Sequence, residues 1–278
     1  MSTSYDEATQ TARAYYNSSD ADTFYAEVWG GEDIHVGLYA SPDEPIKDAS
    51  RRTVDHMIDR LGDVPDDATV LDIGAGYGGA ARHLARRTGA RVICLNLSEA
   101  ENERNRTFTR EAGLDDRIEV VDGRFEDIPV NDASVDIVWS QDAILHSGDR
   151  RRVLQEVDRA LKPGGLFVFT DPMRRDDAPL EQLGPILDRI HLPDLGSPGF
   201  YKDVAQSLGW EDMGFEDMTH QLKNHYTRVL ETTIAEAPRL EGIISSAYIE
   251  RMKQGLHHWI DGADRGLLAW GVFLFRKP

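Results

Sequence analysis

Residues 70 to 79 read Val-Leu-Asp-Ile-Gly-Ala-Gly-Tyr-Gly-Gly, an apolar strand that ends in an acid and runs straight into glycines. Glycines at 74, 76 and 79 let the backbone turn sharply and approach a ligand with no Cβ in the way. The helix that follows opens there with free amide donors. The spacing is also that of the dinucleotide fingerprint. Asp72 separates the two readings, because a carboxylate two residues ahead of Gly74 would repel a pyrophosphate and attract the ammonium of an amino-acid group. The charge sign points to S-adenosylmethionine, with Gly74, Ala75 and Gly76 as the turn that meets it. A tight βα turn without a ligand is the plain alternative, and the downstream spacing argues against it.

After this strand the pattern alternates: helix 77–88, strand 91–95, helix 98–113, strand 117–121. Strands at 135–139 and 165–170 flank a helix over 149–161 that stops at Lys162-Pro-Gly-Gly, and the last strand runs from Leu267 to Phe275. Such alternation predicts an α/β fold with a Rossmann-like, doubly wound, seven-stranded sheet. Residues 1–60 and 172–262 fall outside it. The first carries the aromatic series Tyr15, Tyr16, Phe24, Tyr25, Trp29 and Tyr39; the second is broken by Pro179, Pro185, Pro193 and Pro198 before two helical stretches near 221–236 and 245–261. The expected division is a helical cap segment over 1–60, a core of 61–171 with 205–220 and 265–278, and substrate-cap insertions at 172–204 and 221–264. Ligands of open α/β sheets bind beyond the carboxyl edge, so these segments would close over a substrate.

A chain of 278 residues can bury one large core. Its formal charge of −18, spread along the chain, argues against nucleic acid as a partner; it is either ordinary solvation or, the favoured reading, adaptation to high salt, where screening relieves self-repulsion. The single cysteine, Cys94, lies in an apolar strand and can form no intrachain disulfide. The amino terminus shows neither a basic nor an apolar targeting region and no stretch reaches membrane-span length, so a soluble, cytoplasmic protein with no membrane partner is expected. His257 with His258, and His220 with His225, lack the spacing that puts two imidazoles on one helix face, and no metal site is read. Monomer and homodimer both remain open.

The ribose acceptor of a nucleotide-binding unit is expected at the end of the second strand, where this chain has Asn96 followed by Leu97. An asparagine accepts one bond and donates another, a weaker grip than a carboxylate; it also suits a turn before a Ser98 helix cap. In Asp122-Gly-Arg-Phe-Glu-Asp-Ile-Pro129, Phe125 would stack on an adenine and Arg124 would edge it, unless Phe125 plugs the core beneath the loop. The fourth strand runs into Trp139-Ser-Gln-Asp-Ala-Ile-Leu-His146, which sets Gln141, Asp142 and His146 at the switch point.

With these strings the chain resembles the class I S-adenosylmethionine-dependent methyltransferases over most of its length, and in particular is similar to the sarcosine and dimethylglycine N-methyltransferases of glycine betaine synthesis. The resemblance rests on Tyr25-Ala-Glu-Val-Trp-Gly-Gly-Glu-Asp-Ile-His-Val-Gly-Leu-Tyr39, Gly74-Ala-Gly-Tyr-Gly-Gly-Ala-Ala-Arg82, Trp139-Ser-Gln-Asp-Ala143, Leu145-His-Ser147 and Thr170-Asp-Pro-Met173, with His258-Trp-Ile and Leu274-Phe-Arg-Lys277 near the end. It implies a pairing of Arg52 with the methionine carboxylate and a cover of Trp29 and Tyr39 over the cofactor. It also implies displacement at the sulfonium methyl by a neutral amine, with Asp142, His146 and Tyr39 as the catalytic set and Asp142 or His146 taking the proton. The amine would lie among Tyr16, Trp29, His35, Gln141, Met173 and Tyr226, with Arg174 reading its carboxylate. Methylation of phosphoethanolamine or of a lipid or terpenoid carbon is the rival enzymatic reading, and a noncatalytic cofactor-binding regulator the rival of another class.

Overall fold

The computed structural model describes residue 10 and residues 19–29, 31–190 and 192–278. A short helix α1 (Ser19–Phe24) continues into a wider turn, Tyr25–Trp29, and an extended stretch leads to α2 (Ile46–Leu61). The inner face of α2 is pinned to that stretch, because Ser50 Oγ donates to His35 O at 3.1 Å and Thr53 Oγ1 to Val36 O at 2.8 Å.

The alternating units follow: β1 (Thr69–Ile73), α3 (Gly79–Thr88), β2 (Arg91–Asn96), α4 (Glu99–Glu111), β3 (Ile118–Asp122), β4 (Val135–Gln141), α5 (Arg150–Ala160) and β5 (Leu161–Thr170). Local chemistry sets their ends. Ser98 Oγ accepts from Glu101 N at 3.2 Å to cap α4, and Asp149 Oδ1 accepts from Arg152 N at 3.0 Å to cap α5. Beyond the core units come β6 (Met173–Arg174), α6 (Gly184–Ile190), α7 (Pro198–Ser207), β7 (Glu211–Asp217), α8 (Thr219–Leu240), α9 (Ser246–Asp264), β8 (Leu268–Ala269) and β9 (Gly271–Arg276).

Seven strands form one sheet in the order β3-β2-β1-β4-β5-β9-β7, the first five parallel and β9 antiparallel to both its neighbours. The sequence reading of a doubly wound seven-stranded sheet therefore holds. β1 lies between β2 and β4, with Asp72 opposite Cys94 on one side and Trp139 on the other. That order brings the carboxyl ends of the first, second and fourth strands side by side. One face of the sheet packs α2 and α3 through Val54, Met57 and Leu84, and the other packs α5 and α7 through Leu154, Val157 and Tyr201. Cys94 is fully buried in the first of these layers.

Four boundaries depart from the sequence reading. The Lys162-Pro-Gly-Gly segment does not lie between helix and strand: β5 already begins at Leu161, and Gly164 N and Gly165 O pair with Lys277. The last strand divides at Trp270, since Leu268–Ala269 pairs with β6 and Gly271–Arg276 enters the main sheet. The division has a cause, because the Trp270 indole turns to Asp142 and its backbone bonds to Met218 and Thr219. The helical stretch expected to stop near 236 runs through Pro238 to Leu240, a fully buried residue that anchors its last turn. The helix expected over 245–261 runs three residues further, to Asp264. No helix among the described residues is long and apolar enough to cross a membrane.

Candidate active site

Two adjoining clefts lie beyond the carboxyl ends of β1, β2 and β4, and they share Ile34, Gly74 and Gln141. The larger holds roughly 790 Å³ of free space, open mouth included, and the smaller roughly 300 Å³. Gly74 is required at their junction. Its φ is +83°, and a Cβ would come within 2.3 Å of the Ala143 Cβ.

The smaller cleft is acidic. Asp72 is 4 % exposed at its floor, and burial lifts its carboxyl to about 7. Asp33, Glu32, His35, Ala75 and Gly79 complete the walls with Gln141. Three buried polar atoms on these walls have no hydrogen-bond partner among the described residues: Asp33 Oδ1, His35 Nε2 and Gln141 Nε2. Orphaned polar atoms are costly in a core and are what a polar ligand satisfies. Arg51 reaches this end, with Nη2 2.6 Å from Asp33 Oδ2. A group with an ammonium and a carboxylate on one carbon fits that set of charges.

The larger cleft combines polar and apolar walls. Asn96 Nδ2 donates to Glu101 Oε2 at 2.8 Å, and both residues face the cleft. Together they offer the acceptors that two vicinal hydroxyls need. Leu97, Arg124 and Phe125 line the same space, Phe125 only partly buried, and supply a flat apolar face with a polar edge. The residues present thus fit S-adenosylmethionine from end to end, with Gly76 on the turn between them.

Asp142 and His146 stand where the larger cleft meets the cap. Asp142 is held in the left-handed region at φ +51°, a strained conformation for a residue with a Cβ. Two donors fix it: Val36 N at 2.7 Å to Oδ2 and Trp270 Nε1 at 2.8 Å to Oδ1. Burial raises its carboxyl above the usual range, against the pull of His35 and of these two hydrogen bonds. His146 lies in the short turn Ile144–His146, and burial, reinforced by Arg150 and Arg189, drops its imidazole to about 4. It is neutral at any ordinary working pH.

The cap above the clefts is one apolar cluster that joins Phe24, Tyr25, Trp29 and Leu38 to Leu222, Tyr226 and Val229 of α8 and to Met252, Leu256 and Trp259 of α9. Trp29 meets Tyr226 edge-on at 5.9 Å and His225 at 5.2 Å. The His225 Nδ1 accepts from Gly37 N at 3.1 Å and lies 3.0 Å from the Tyr39 hydroxyl, and burial holds the imidazole near 3. A backbone N–H can only donate, so the ring proton sits on Nε2. That atom and Trp29 Nε1 are buried without a partner among the described residues.

Several residues singled out in the sequence lie elsewhere. Neither Arg51 nor Arg52 is on a cleft wall; Arg52 is bonded to Glu44 and to Leu38 O, whereas Arg51 pairs with Asp33 of the acidic cleft. Helix α2 turns Ala49, Ser50 and Thr53 inward, so its two arginines flank that face and only the fold chooses between them. Arg174 spends its guanidinium on the carbonyls of Arg175 and Asp176, and Met173 is fully buried beneath the sheet's edge. Tyr39 bonds to His225 and, like Trp29 and Tyr226 of the apolar cluster, is not on a wall of either cleft. Tyr16 lies outside the described residues. Glu101, Trp270 and His225 were not singled out as site residues. Only Glu101 had a local signal, the Ser98-x-x-Glu101 pattern that starts a helix.

A family profile described as a methyltransferase domain matches residues 71–169. The chain is 55 % identical over 278 residues to a sarcosine/dimethylglycine N-methyltransferase of Halorhodospira halochloris, covering all of both chains. It is 52 % identical over 276 residues to one of Aphanothece halophytica, covering 99 % of this chain and all of that one. A crystal structure from Galdieria sulphuraria, attributed to the same class of enzyme, superimposes with a TM-score of 0.88 at 44 % identity over 93 % of this chain and 98 % of the other. Identity at this level over the whole length carries the cap as well as the glycine turn, and the chain belongs to the family of sarcosine/dimethylglycine N-methyltransferases.

Proposed function

We propose that the chain methylates the nitrogen of sarcosine and then of dimethylglycine, giving glycine betaine, an osmoprotectant, in a salt-adapted cytoplasm. The observation that supports this most is the join of an acidic, orphan-lined cleft to a cap of aromatic faces, within a chain more than half identical to enzymes of that name. S-adenosylmethionine supplies the methyl group, activated as a sulfonium.

Asp72 and Asp33 would hold the methionine ammonium, Arg51 its carboxylate, and Asn96 with Glu101 the ribose. The amine attacks through a neutral nitrogen, so its proton must leave first. Asp142 is the better acceptor of that proton, because burial strengthens a carboxylate as a base while the same burial weakens His146. His146 then acts as a neutral hydrogen-bonding wall. Trp29 and Tyr226, packed together in the apolar cap, would help to keep water out of the clefts. No covalent enzyme intermediate is required; alignment carries the rate.

Incubation with S-adenosylmethionine and glycine, sarcosine, dimethylglycine or phosphoethanolamine, with products identified by mass, tests the reading. Methyl transfer to both methylglycines is expected. Turnover of phosphoethanolamine alone would overturn the assignment, and tight cofactor binding without turnover on any amine would favour a regulator.

A further inference from the structure

We infer that Trp139 fixes the amide of Gln141 with its N–H donors left to the clefts, where they receive the carboxylate of an α-amino-acid ligand, an inference that rests on the methyl transfer to a methylated glycine proposed above. The first observation is the polarity of the amide. In β4 the side chains of residues 139 and 141 share one face of the strand, and Trp139 Nε1 stands 3.0 Å from Gln141 Oε1. An indole nitrogen can only donate, so the amide atom that meets it must be the oxygen. The amide nitrogen is thereby left over. Gln141 Nε2 is buried and has no hydrogen-bond partner among the described residues.

The second observation is position. Gln141 lines both clefts, and with Gly74 and Ile34 it stands where they join. Ser140 Oγ donates to Ile73 O at 2.8 Å, which holds this end of β4 level with the glycine turn. Trp139 is 1 % exposed and packs in the layer of Val54, Met57 and Leu84. It is on neither cleft wall, so it can act on a ligand only through Gln141.

The third observation is the sign of what surrounds it. Asp33 Oδ1 belongs to a carboxylate whose other oxygen is paired with Arg51. His35 Nδ1 gives its proton to Val36 O at 3.2 Å, which leaves a lone pair on Nε2 of the neutral ring. These two orphaned atoms accept, and among the described residues Gln141 Nε2 is the one orphaned donor on the cleft walls. An ammonium suits the acceptors and a carboxylate oxygen suits the donor. The methionine end of the cofactor and the methylated glycine each carry such a carboxylate.

Calorimetry of the full chain with S-adenosylhomocysteine, and steady-state kinetics with dimethylglycine at saturating S-adenosylmethionine, test the inference. Gln141→Glu keeps an oxygen for Trp139 but sets an acceptor where the donor stood, and should weaken the carboxylate-bearing ligand roughly ten- to a hundredfold. Trp139→Phe removes the bond that orients the amide and should weaken it roughly three- to tenfold. In a Gln141→Met background Trp139→Phe should add nothing, because its effect passes through the amide, whereas a merely structural role would be additive. Weaker S-adenosylhomocysteine with unchanged 5′-methylthioadenosine, which lacks the amino-acid group, assigns the carboxylate to the cofactor. Unchanged S-adenosylhomocysteine with a raised KM for dimethylglycine assigns it to the amine. Both values within about twofold of wild type in folded Gln141→Glu overturn the inference and leave the proposed function standing, and an additive Trp139→Phe overturns the part given to the indole. A wild type inert toward both methylglycines overturns the function and the amine arm, and calorimetry still decides the cofactor arm.

Discussion

The cofactor half of the cleft and the cap half are built by opposite means. On the cofactor side, Asp72, Asn96 and Gln141 each sit at the end of a strand, and Gly74 and Phe125 follow in the next loop, so the sheet order brings consecutive short motifs together. On the cap side, contacts join residues far apart in the chain: Gly37 to His225, Tyr39 to Gln221, Glu27 to Arg239 and Asp20 to Ser245. Asp142 is the joint, since one carboxylate at the end of β4 holds Val36 and Trp270 at once. The cofactor cleft is thus a local property stacked on a sheet, whereas the cap, the proposed acceptor side, depends on long-range packing. Mutations in the two halves should therefore be read out by different measurements.

Trp29→Ala is the largest expected break. Removing a buried indole from the cap cluster should cost about 3 to 5 kcal/mol of stability in denaturant unfolding and lower turnover, while cofactor affinity changes little. Loss of cofactor affinity in step with stability would show that the halves are not separable. On the other side, Asp72→Ala should weaken S-adenosylmethionine binding by about 2 to 5 kcal/mol by calorimetry, with the cap intact.

Asp72 also carries a pH signature. Its folded carboxyl is raised to about 7 from the ordinary 3.8, so its favourable contribution to the ligand-free protein is present below the unfolded value and lost as pH rises through about 7. The ammonium prefers the ionised form. Cofactor affinity should thus climb between pH 6 and pH 8 with release of a proton, and Asp72→Asn should flatten that rise. Asp171, lifted to about 7 by burial despite the Tyr201 hydroxyl at 2.6 Å, adds to the loss of ligand-free stability over the same window but not to the affinity.

Asp142→Ala probes the joint itself. It leaves the Val36 amide and the Trp270 indole without an acceptor, at a cost of about 2 to 4 kcal/mol, and places alanine at a positive φ. Thermal stability and the amine KM should both suffer, and an effect confined to one of them would sharpen the division to that side. Salt has the smallest effect. With a formal charge of −18, the melting temperature should rise by a few degrees as the Debye length falls to about 10 Å and below. A flat or falling profile would mark the acidity as ordinary.

What the chain could disclose before folding was whatever its chemistry writes locally. A period of alternating strands and helices, an acid ahead of a glycine turn, and polar residues after the fourth strand are all contiguous, and backbone sterics and charge sign suffice to interpret them. Ser98 with Glu101 belongs to the same class and was legible as a helix start, though not as a cleft wall.

The choice of Arg51 over Arg52 at the acidic end turns on which flank of α2 faces Asp33, and periodicity leaves the two flanks equivalent. Arg189 packs against α9 only because Gly255, sixty-six residues later, leaves room for its side chain. Trp270 divides a strand that reads as continuous, because Asp142 and the start of α8 capture its indole and backbone. The sequence by itself determined the sheet, the turn and the cofactor's charge pattern, since each depends on neighbours within a few residues. The acceptor pocket was decided by the tertiary structure, where the partners of each side chain lie scores to hundreds of residues away and only packing names them.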